Sequence, residues 1–150
     1  MNNDGCEPTI GDVRYFVDEN LAGLGLSLMR LRRDIAVGGW GPIRQLVPAL
    51  DEDWIPVVAA HGWTVITNDK KLRTRPNEAA LTKAHRLLHL TPPVRDAPHW
   101  EFARVLLRHW DTVEAVAGET GPLWLAVSKR GCTRKAFAPG QVERMPPADR

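Results

Sequence analysis

Three aspartates, widely spaced along the chain, have the residue type that divalent-metal chemistry requires. Asp18 and Asp69 each follow a short apolar or β-branched run, and Asp51 precedes a helix-like segment. If the two runs are neighbouring parallel strands, Asp18 and Asp69 project into one crevice, toward which Asp51 can also point. Clustered carboxylates repel one another and need a compensating cation. Their oxygens suit Mg²⁺ or Mn²⁺, an ion that can activate water and stabilise charge on a phosphoryl group.

Each of these aspartates also has a purely structural interpretation. Asp51 is suited to capping a helix, and Asp18 can accept backbone amides in the tight turn formed with Glu19 and Asn20. Asp69 can equally be a turn residue. All three interpretations must hold together to remove the proposed site, and the shared position of Asp18 and Asp69 after strands argues against that.

The segments that would position these acids alternate between strand and helix patterns. Strands are predicted at 14–17, 35–37, 64–67, 87–90 and 123–127, and helices at 21–33, 54–60, 76–85 and 96–118. Strands separated by helix-length crossovers predict an α/β fold, with a parallel sheet covered by helices on both faces. In such sheets functional groups gather beyond the carboxyl ends of the strands.

The longest predicted helix runs from about Asp96 to Gly118 and is amphipathic. Its apolar face is predicted to comprise Trp100, Ala103, Leu107, Trp110, Val113 and Ala117. On this pattern Trp100 and Trp110 are interpreted as core or dimer contacts rather than as platforms for stacking nucleic-acid bases.

Composition is that of one globular domain. The 150 residues are 43% hydrophobic with a formal charge of +2, which is too small to indicate a nucleic-acid partner by itself. No apolar run approaches the ~18–20 residues that a membrane span needs, and the first residues lack a signal-peptide pattern. Cys6 and Cys132 form no zinc pattern with the five histidines. We therefore expect a cytoplasmic protein with reduced thiols, a flexible N-terminus at 1–13, a domain at 14–138 and a flexible tail at 139–150.

The spacing of four residues resembles a known family of nucleases. Asp51, Gly62, Thr67 and Asp69 are similar to the helix-cap aspartate, helix-end glycine and terminal Thr-x-Asp of PIN-domain nucleases. The opening segment 16–21, FVDENL, resembles that of the compact PIN-like branch, which includes the VapC-type toxins of toxin–antitoxin pairs. The resemblance is close over residues 14–91 and looser beyond them.

This resemblance implies a PIN-like three-layer α/β/α fold, with a central parallel sheet of about five strands. It also implies a Mg²⁺- or Mn²⁺-dependent endoribonuclease, the toxin of a type II toxin–antitoxin pair. Asp18, Asp51 and Asp69 would be its metal ligands, and the hydroxyl of Thr67 would steady the site. The implied partners are an RNA substrate, a cognate antitoxin and a second copy of the chain. The lack of a long apolar run separately predicts that no membrane is involved.

One departure from the family pattern concerns the number of acids. Larger PIN domains place a glutamate on a helix between the first and third acids, whereas residues 21–48 here contain one acid, Asp34, at the start of a predicted strand. Glu19 and Asp53 are further candidate metal ligands, but Asp53 should point about 200° around the helix from Asp51. A weakened or inactive site is therefore an alternative.

Basic residues follow the third aspartate directly. Lys70, Lys71, Arg73 and Arg75 fall within six positions and are candidates for binding the phosphates of RNA. A solvated loop is an equally good interpretation. Arg104 and Arg108 lie on the polar side of the long helix and would extend this basic surface. Arg30, Arg32 and Arg33 end the first predicted helix, where cations favour the helix dipole, so a structural role is predicted for them.

Two other functions fit parts of the pattern. A phosphoacceptor receiver-like domain would use Asp18 and Glu19 for Mg²⁺, Asp69 as acceptor, Thr91 as switch residue and Lys129 as the charge partner. The Thr-x-Asp spacing would then be accidental. The other is a catalytically silent PIN-like module that binds RNA or a protein, which the unfilled glutamate position favours.

Overall fold

The computed structural model describes residues 10–39, 51–69, 88–91 and 99–135, and within these ranges the side chains of 51–53 and 88–91 are not described. The predicted helix at 76–85, the basic segment 70–75 and the predicted flexible segments 1–9 and 139–150 lie outside the described residues. Of the expected N-terminal segment, Ile10–Asp12 forms a 3₁₀ turn and Val13 is buried in the core.

One six-stranded sheet runs through the described residues, in the order β2-β1-β3-β4-β5-β6. Strands β1 to β5 pair in parallel, and β6 pairs antiparallel with β5. The strands are β1 (Tyr15–Val17), β2 (Ile35–Val37), β3 (Thr64–Ile66), β4 (Leu88–Thr91), β5 (Leu123–Ser128) and β6 (Gly131–Lys135). The helices are α1 (Ala22–Leu31), α2 (Asp51–His61), α3 (His99–Arg108) and α4 (Trp110–Ala117).

Alternate residues of the strands enter two separate apolar clusters, one on each face of the sheet. Tyr15 and Val17 pack with α1, α3 and α4, whereas Phe16 packs with α2 through Trp54 and Ile55. All three residues of β1 are buried, as are all three of β2 and β3. Helices on both faces explain why these short strands are apolar throughout rather than alternating with polar residues. The predicted α/β architecture with a parallel sheet is confirmed.

Helix α1 follows β1 closely in sequence and packs against it. A Cβ atom added at Gly25 would lie 2.6 Å from a methyl group of Val37 and 3.1 Å from Val17, so the helix backbone approaches the sheet where only hydrogen fits. Val17 and Val37 are the last residues of β1 and β2. This close contact therefore fixes the helix at the carboxyl ends of the two strands.

The predicted single helix at 96–118 is wrong, because the chain forms two helices there. At His109 the backbone leaves helical geometry (φ −109°, ψ 21°), and its N–H bonds to the carbonyl of Leu106, three residues back. The chain therefore starts a new helix, α4, at Trp110. No proline or glycine occurs at the break, which is why the sequence pattern continued through it.

The predicted apolar face of this region is also wrong for its first half. Trp100 and Leu107 are 69% and 49% exposed, and α3 instead buries Phe102, Val105 and Leu106. These two sets lie on opposite sides of the helix at 100° per residue. The helix is thus apolar along two stripes, and the sequence alone does not say which one the core takes.

Two smaller differences concern α2 and the end of the described chain. Helix α2 spans Asp51–His61 and so includes three acids that precede the predicted helix at 54–60. Three consecutive acids suit a first helical turn, where the dipole is positive. Strand β6 was not predicted, because its polar sequence lacks the apolar signature used for the other strands.

No helix among the described residues is both long and apolar enough to span a bilayer.

Candidate functional site

The carboxyl ends of three adjacent strands bring the candidate residues to one edge of the sheet. Pairing continues one residue past the strands: the amide of Asp18 donates to Ile66 (2.9 Å) and that of Gly38 donates to Val17 (2.9 Å). Asp18 therefore leaves β1 beside the residue that follows β3, Thr67. We call this side of the sheet the carboxyl edge.

Two uncharged donors are among the groups that hold Asp18 at this edge. Its Oδ2 accepts a hydrogen bond from the hydroxyl of Thr67 at 2.9 Å, and its Oδ1 lies 3.4 Å from the amide of Asn20. The second contact is longer than a good N–H···O bond, so capping of the Glu19–Leu21 3₁₀ turn is the weaker of the two interactions. Asp18 therefore has its expected structural role in the turn with Asn20, and it also accepts a shorter hydrogen bond from Thr67, which follows β3.

Thr67 connects the two aspartates. Its side chain is fully buried; its hydroxyl donates to Asp18 and accepts from the backbone amide of Asp69 at 3.1 Å. A hydroxyl that both donates and accepts is saturated by these two bonds apart from one lone pair. The orientation of the Asp18 carboxylate and the backbone course into Asp69 are therefore set by the same oxygen atom.

Glu19 lies on the other flank of Asp18. Gly39 lies two residues beyond the end of β2, and a Cβ atom added to it would lie 3.7 Å from the Oε1 atom of Glu19. Gly39 has φ +79°, a conformation that favours glycine. Because β2 and β3 lie on opposite sides of β1, Glu19 packs away from the strand that leads to Asp69.

The remaining predicted ligands and RNA contacts lie beyond what the structure describes. The side chains of Asp51 and Asp53 are not described. Helix α2 connects the parallel strands β2 and β3, so its amino end, at Asp51, belongs to the carboxyl edge. Lys70, Lys71, Arg73 and Arg75 are outside the described residues. Among the side chains that are described, no three acidic, histidine or cysteine groups are close enough to hold a metal ion.

The donor set at this edge nevertheless suits a hard divalent cation. Asp18 and Asp69 would supply carboxylate oxygens, which Mg²⁺ and Mn²⁺ prefer, and Mg²⁺ is commonly held by one or two carboxylates together with water and substrate phosphates. Both side chains are half-buried. A third carboxylate from the start of α2 would complete the set that the sequence predicts.

Asp34, the one acid within residues 21–48, lies at the opposite edge of the sheet. Its carboxylate accepts two hydrogen bonds from Arg32, at 2.9 and 2.8 Å, and Arg32 also pairs with Glu114 at 3.1 Å. The hydrogen bond from Arg32 lowers the pKa of Asp34 below its usual range. Asp34 therefore does not supply the missing acid of the larger PIN domains.

Aromatic rings complete this second cluster, which sequence reasoning missed. The Arg32 guanidinium lies 4.9 Å from the ring centroid of Trp110, whose indole N–H donates to Glu114 at 2.8 Å. The ring of Tyr15 lies 5.1 Å from Trp110, and burial, followed by the charge of Glu114, raises the pKa of its hydroxyl. We call these five residues (Tyr15, Arg32, Asp34, Trp110 and Glu114) the amino-edge cluster, because β1 and β2 begin there.

One comparison with known proteins identifies the family of the chain. A family model described as a PIN-like domain matches residues 13–91, just over half of the chain. The matched segment contains Asp18, Asp51, Thr67 and Asp69. Neither the curated proteins nor the solved structures contain a significant match to the chain.

Proposed function

The chain belongs to the PIN-like domain family, and from this premise we propose that it is a Mg²⁺- or Mn²⁺-dependent endoribonuclease. The observation that carries the proposal is the hydrogen-bonded connection from Asp18 through Thr67 to Asp69, across the carboxyl ends of two adjacent parallel strands. This is the place in a parallel sheet where functional groups gather. PIN-like domains have a nuclease-type fold. We assign the proposed RNA cleavage to the residues that these hydrogen bonds join.

In this proposal Asp18 and Asp69 hold the metal ion, with Asp51 as the third ligand. A bound ion would lower the pKa of a water molecule and stabilise charge on the phosphoryl group. Thr67 acts as a positioning residue, because its buried hydroxyl holds one oxygen of Asp18 in a fixed direction. The basic segment after Asp69 is proposed to bind the phosphates that flank the scissile bond.

The decisive experiment is cleavage of an end-labelled RNA by purified protein, with Mg²⁺ or Mn²⁺ and, in parallel, with EDTA. We expect cleavage with metal only, and its loss in Asp69→Asn. Asp111→Asn is the matched control, because Asp111 is an exposed acid in the first turn of α4, outside the matched segment. Cleavage in EDTA, or undiminished cleavage by Asp69→Asn, would exclude the mechanism.

The biological role that we propose is that of a cytoplasmic VapC-type toxin in a type II toxin–antitoxin pair, acting as a homodimer on RNA. The support is the resemblance of segment 16–21 to that branch. Induced expression should arrest growth, Asp69→Asn should not, and co-expression of a small protein encoded beside it should restore growth. Normal growth under strong induction of active protein would contradict this role.

A catalytically silent PIN-like module that binds RNA or a protein is the second candidate. The pairing of Asp34 with Arg32 favours this candidate. Because Asp34 is engaged in that pair, it does not replace the helical glutamate of larger PIN domains. Titration calorimetry separates the two candidates. Absence of heat on adding millimolar Mg²⁺ or Mn²⁺ would support the silent module, whereas binding that Asp18→Asn abolishes would support the enzyme.

A further inference from the structure

The first turn of α3 lies near the carboxyl edge, where α1 begins. Two contacts place it there. The Nδ1 atom of His99 is 2.8 Å from where a Cβ atom of Gly23 would be, and Gly23 is the second residue of the helix that follows β1. Lys129, directly after the carboxyl end of β5, has its Nζ 3.9 Å from Glu101.

Trp100, in this first turn, is 69% exposed. Its indole ring presents a flat π surface to solvent, of the kind that stacks on nucleic-acid bases. Arg104 and Leu107 follow at positions four and seven residues on, so the three side chains leave α3 within about 60° of arc. The opposite side of the helix is already buried in the core. Burial of α3 therefore does not account for the exposed Trp100.

Cations lie along one side of this exposed stripe. Arg104, Arg108 and Lys129 line a cavity of about 480 Å³ together with one acid, Glu101. The carboxylate of Glu101 contacts Arg104 at 3.2 Å and Lys129 at 3.9 Å, which holds the two cations near each other. The side chains of Arg104 and Lys129 remain 60% and 68% exposed. Among the described residues that line this cavity, three cations against one acid give a net positive charge.

We propose that this surface, the α3 platform (Trp100, Arg104, Arg108 and Lys129), binds single-stranded RNA. Trp100 stacks on an unpaired base, and Arg104 and Lys129 bind the neighbouring phosphates. An exposed aromatic ring flanked by cations is how proteins bind single strands, since every base offers a π-face and every nucleotide a phosphate. The inference rests on the proposed ribonuclease function and adds where the substrate lies, on the β5 side of the acidic site.

The test is fluorescence anisotropy of a labelled single-stranded RNA bound by the full chain in EDTA, so that binding is measured without cleavage. Trp100→Ala should weaken binding about 5- to 100-fold, the range expected for loss of one base–aromatic stack. Trp100→Phe should keep most of the affinity. The control is Leu31→Ala, because Leu31 is 76% exposed at the end of α1 farthest from the carboxyl edge. It should leave binding unchanged.

Salt dependence separates stacking from phosphate contacts. Each cation removed should reduce the slope of log affinity against log salt by about 0.7 for a single strand. We therefore expect Arg104→Gln and Lys129→Gln each to lower the slope by about this amount, and Trp100→Ala to leave it unchanged. Equal slopes for all variants would contradict a role for Arg104 and Lys129 in phosphate binding.

The outcomes distinguish this inference from the proposed function. Trp100-dependent binding supports the platform whether or not Mg²⁺ or Mn²⁺ then permits cleavage. Metal-dependent cleavage with wild-type affinity in Trp100→Ala would overturn the platform and leave the nuclease intact. Trp100-dependent binding of a partner protein, such as an antitoxin, in a chain that does not bind RNA would assign the surface to that protein and overturn the inference. Thermal melts confirm that each variant is folded.

Discussion

The two edges of the sheet hold their acids in different ways. At the amino edge, Asp34 accepts two short hydrogen bonds from the guanidinium of Arg32, which also pairs with Glu114. At the carboxyl edge, the contacts of Asp18 include the hydroxyl of Thr67 and the amide of Asn20, which are neutral donors. Asp34 is thus paired with a cation of the chain, whereas the hydrogen bond from Thr67 orients the Asp18 carboxylate without neutralising it.

This difference separates a cluster that stabilises the fold from a site suited to binding. A carboxylate paired with arginine gains stability from charge-assisted hydrogen bonds and has little attraction left for another cation. A neutral hydroxyl orients a carboxylate without cancelling its charge, and several carboxylates held close together favour a bound cation. The amino-edge cluster should therefore respond to mutation in stability, and the carboxyl edge in activity.

The sharpest test of this contrast is a pair of isosteric substitutions. Asp18→Asn should reduce metal-dependent RNA cleavage about 100-fold or more, because a bound ion supplies several kcal/mol of transition-state stabilisation. Asp34→Asn should leave cleavage within about twofold and lower the free energy of unfolding by about 1–2 kcal/mol through the weakened pair with Arg32. Cleavage assays and urea unfolding measure the two effects. Equal loss of activity in both variants would remove the distinction between the edges.

The next largest effect is expected at Thr67, which connects the two aspartates. Thr67→Val keeps the shape but removes the donor to Asp18 and the acceptor for the amide of Asp69. Cleavage should fall about 10- to 100-fold, as for loss of a group that orients a metal ligand, and unfolding free energy should fall by about 1–3 kcal/mol. Thr67→Ser retains the hydroxyl and should recover most of the cleavage. If Ser and Val behave alike, the hydroxyl has no positioning role.

Gly25 tests how the carboxyl edge depends on the packing of α1. Gly25→Ala places a methyl group against Val17 and Val37, and we expect a net loss of about 1–2 kcal/mol in unfolding free energy, because overpacking outweighs the gain in helix propensity. Gly118→Ala is the control, since its Cβ would meet only Ala115 O at an ordinary 3.5 Å. Thermal or urea unfolding compares the two. Stabilisation by Gly25→Ala would show that the helix can move away from the sheet at little cost.

The smallest effect concerns acid stability at the amino edge. The hydrogen bond from Arg32 lowers the pKa of Asp34 in the folded protein, so this residue stabilises the fold above its unfolded pKa of about 3.9. That contribution is lost as pH falls through the lower folded value. The difference in unfolding free energy between wild type and Asp34→Asn should therefore be constant from about pH 7 to 5 and shrink from about pH 5 to 2. A difference that stays constant in acid would contradict the pairing.

The sequence was most informative where local patterns and sheet geometry agree. Short β-branched or aromatic runs ending at an acid located β1 and β3, and parallel pairing then brings Asp18 next to Thr67. Thr67 could be picked out by its position two residues before Asp69. Both inferences need only the residues near the strand ends and the rule that the carboxyl ends of parallel strands lie at the same edge of a sheet.

Other features depend on packing between distant parts of the chain, which the local sequence does not predict. Helix α3 has two apolar stripes, and contacts with α1 and β5 decide which is buried, so the exposure of Trp100 could not be predicted. The break at His109 has no proline or glycine to mark it. The amino-edge cluster joins Arg32 to Glu114, 82 residues later, without any motif. The predicted ligand contacts of Asp51 and the basic residues 70–75 lie outside the described structure and stay predictions.

The central claim is that Asp18 and Asp69 share a divalent cation, and anomalous scattering from crystals soaked in Mn²⁺ tests it most directly. We predict an anomalous peak at the carboxyl edge within bonding distance of oxygen atoms from both carboxylates, at about 2.0–2.3 Å, and its loss in Asp18→Asn crystals. A fully soaked crystal with no peak there, or with the carboxylates of these two residues turned away from each other, would contradict the account.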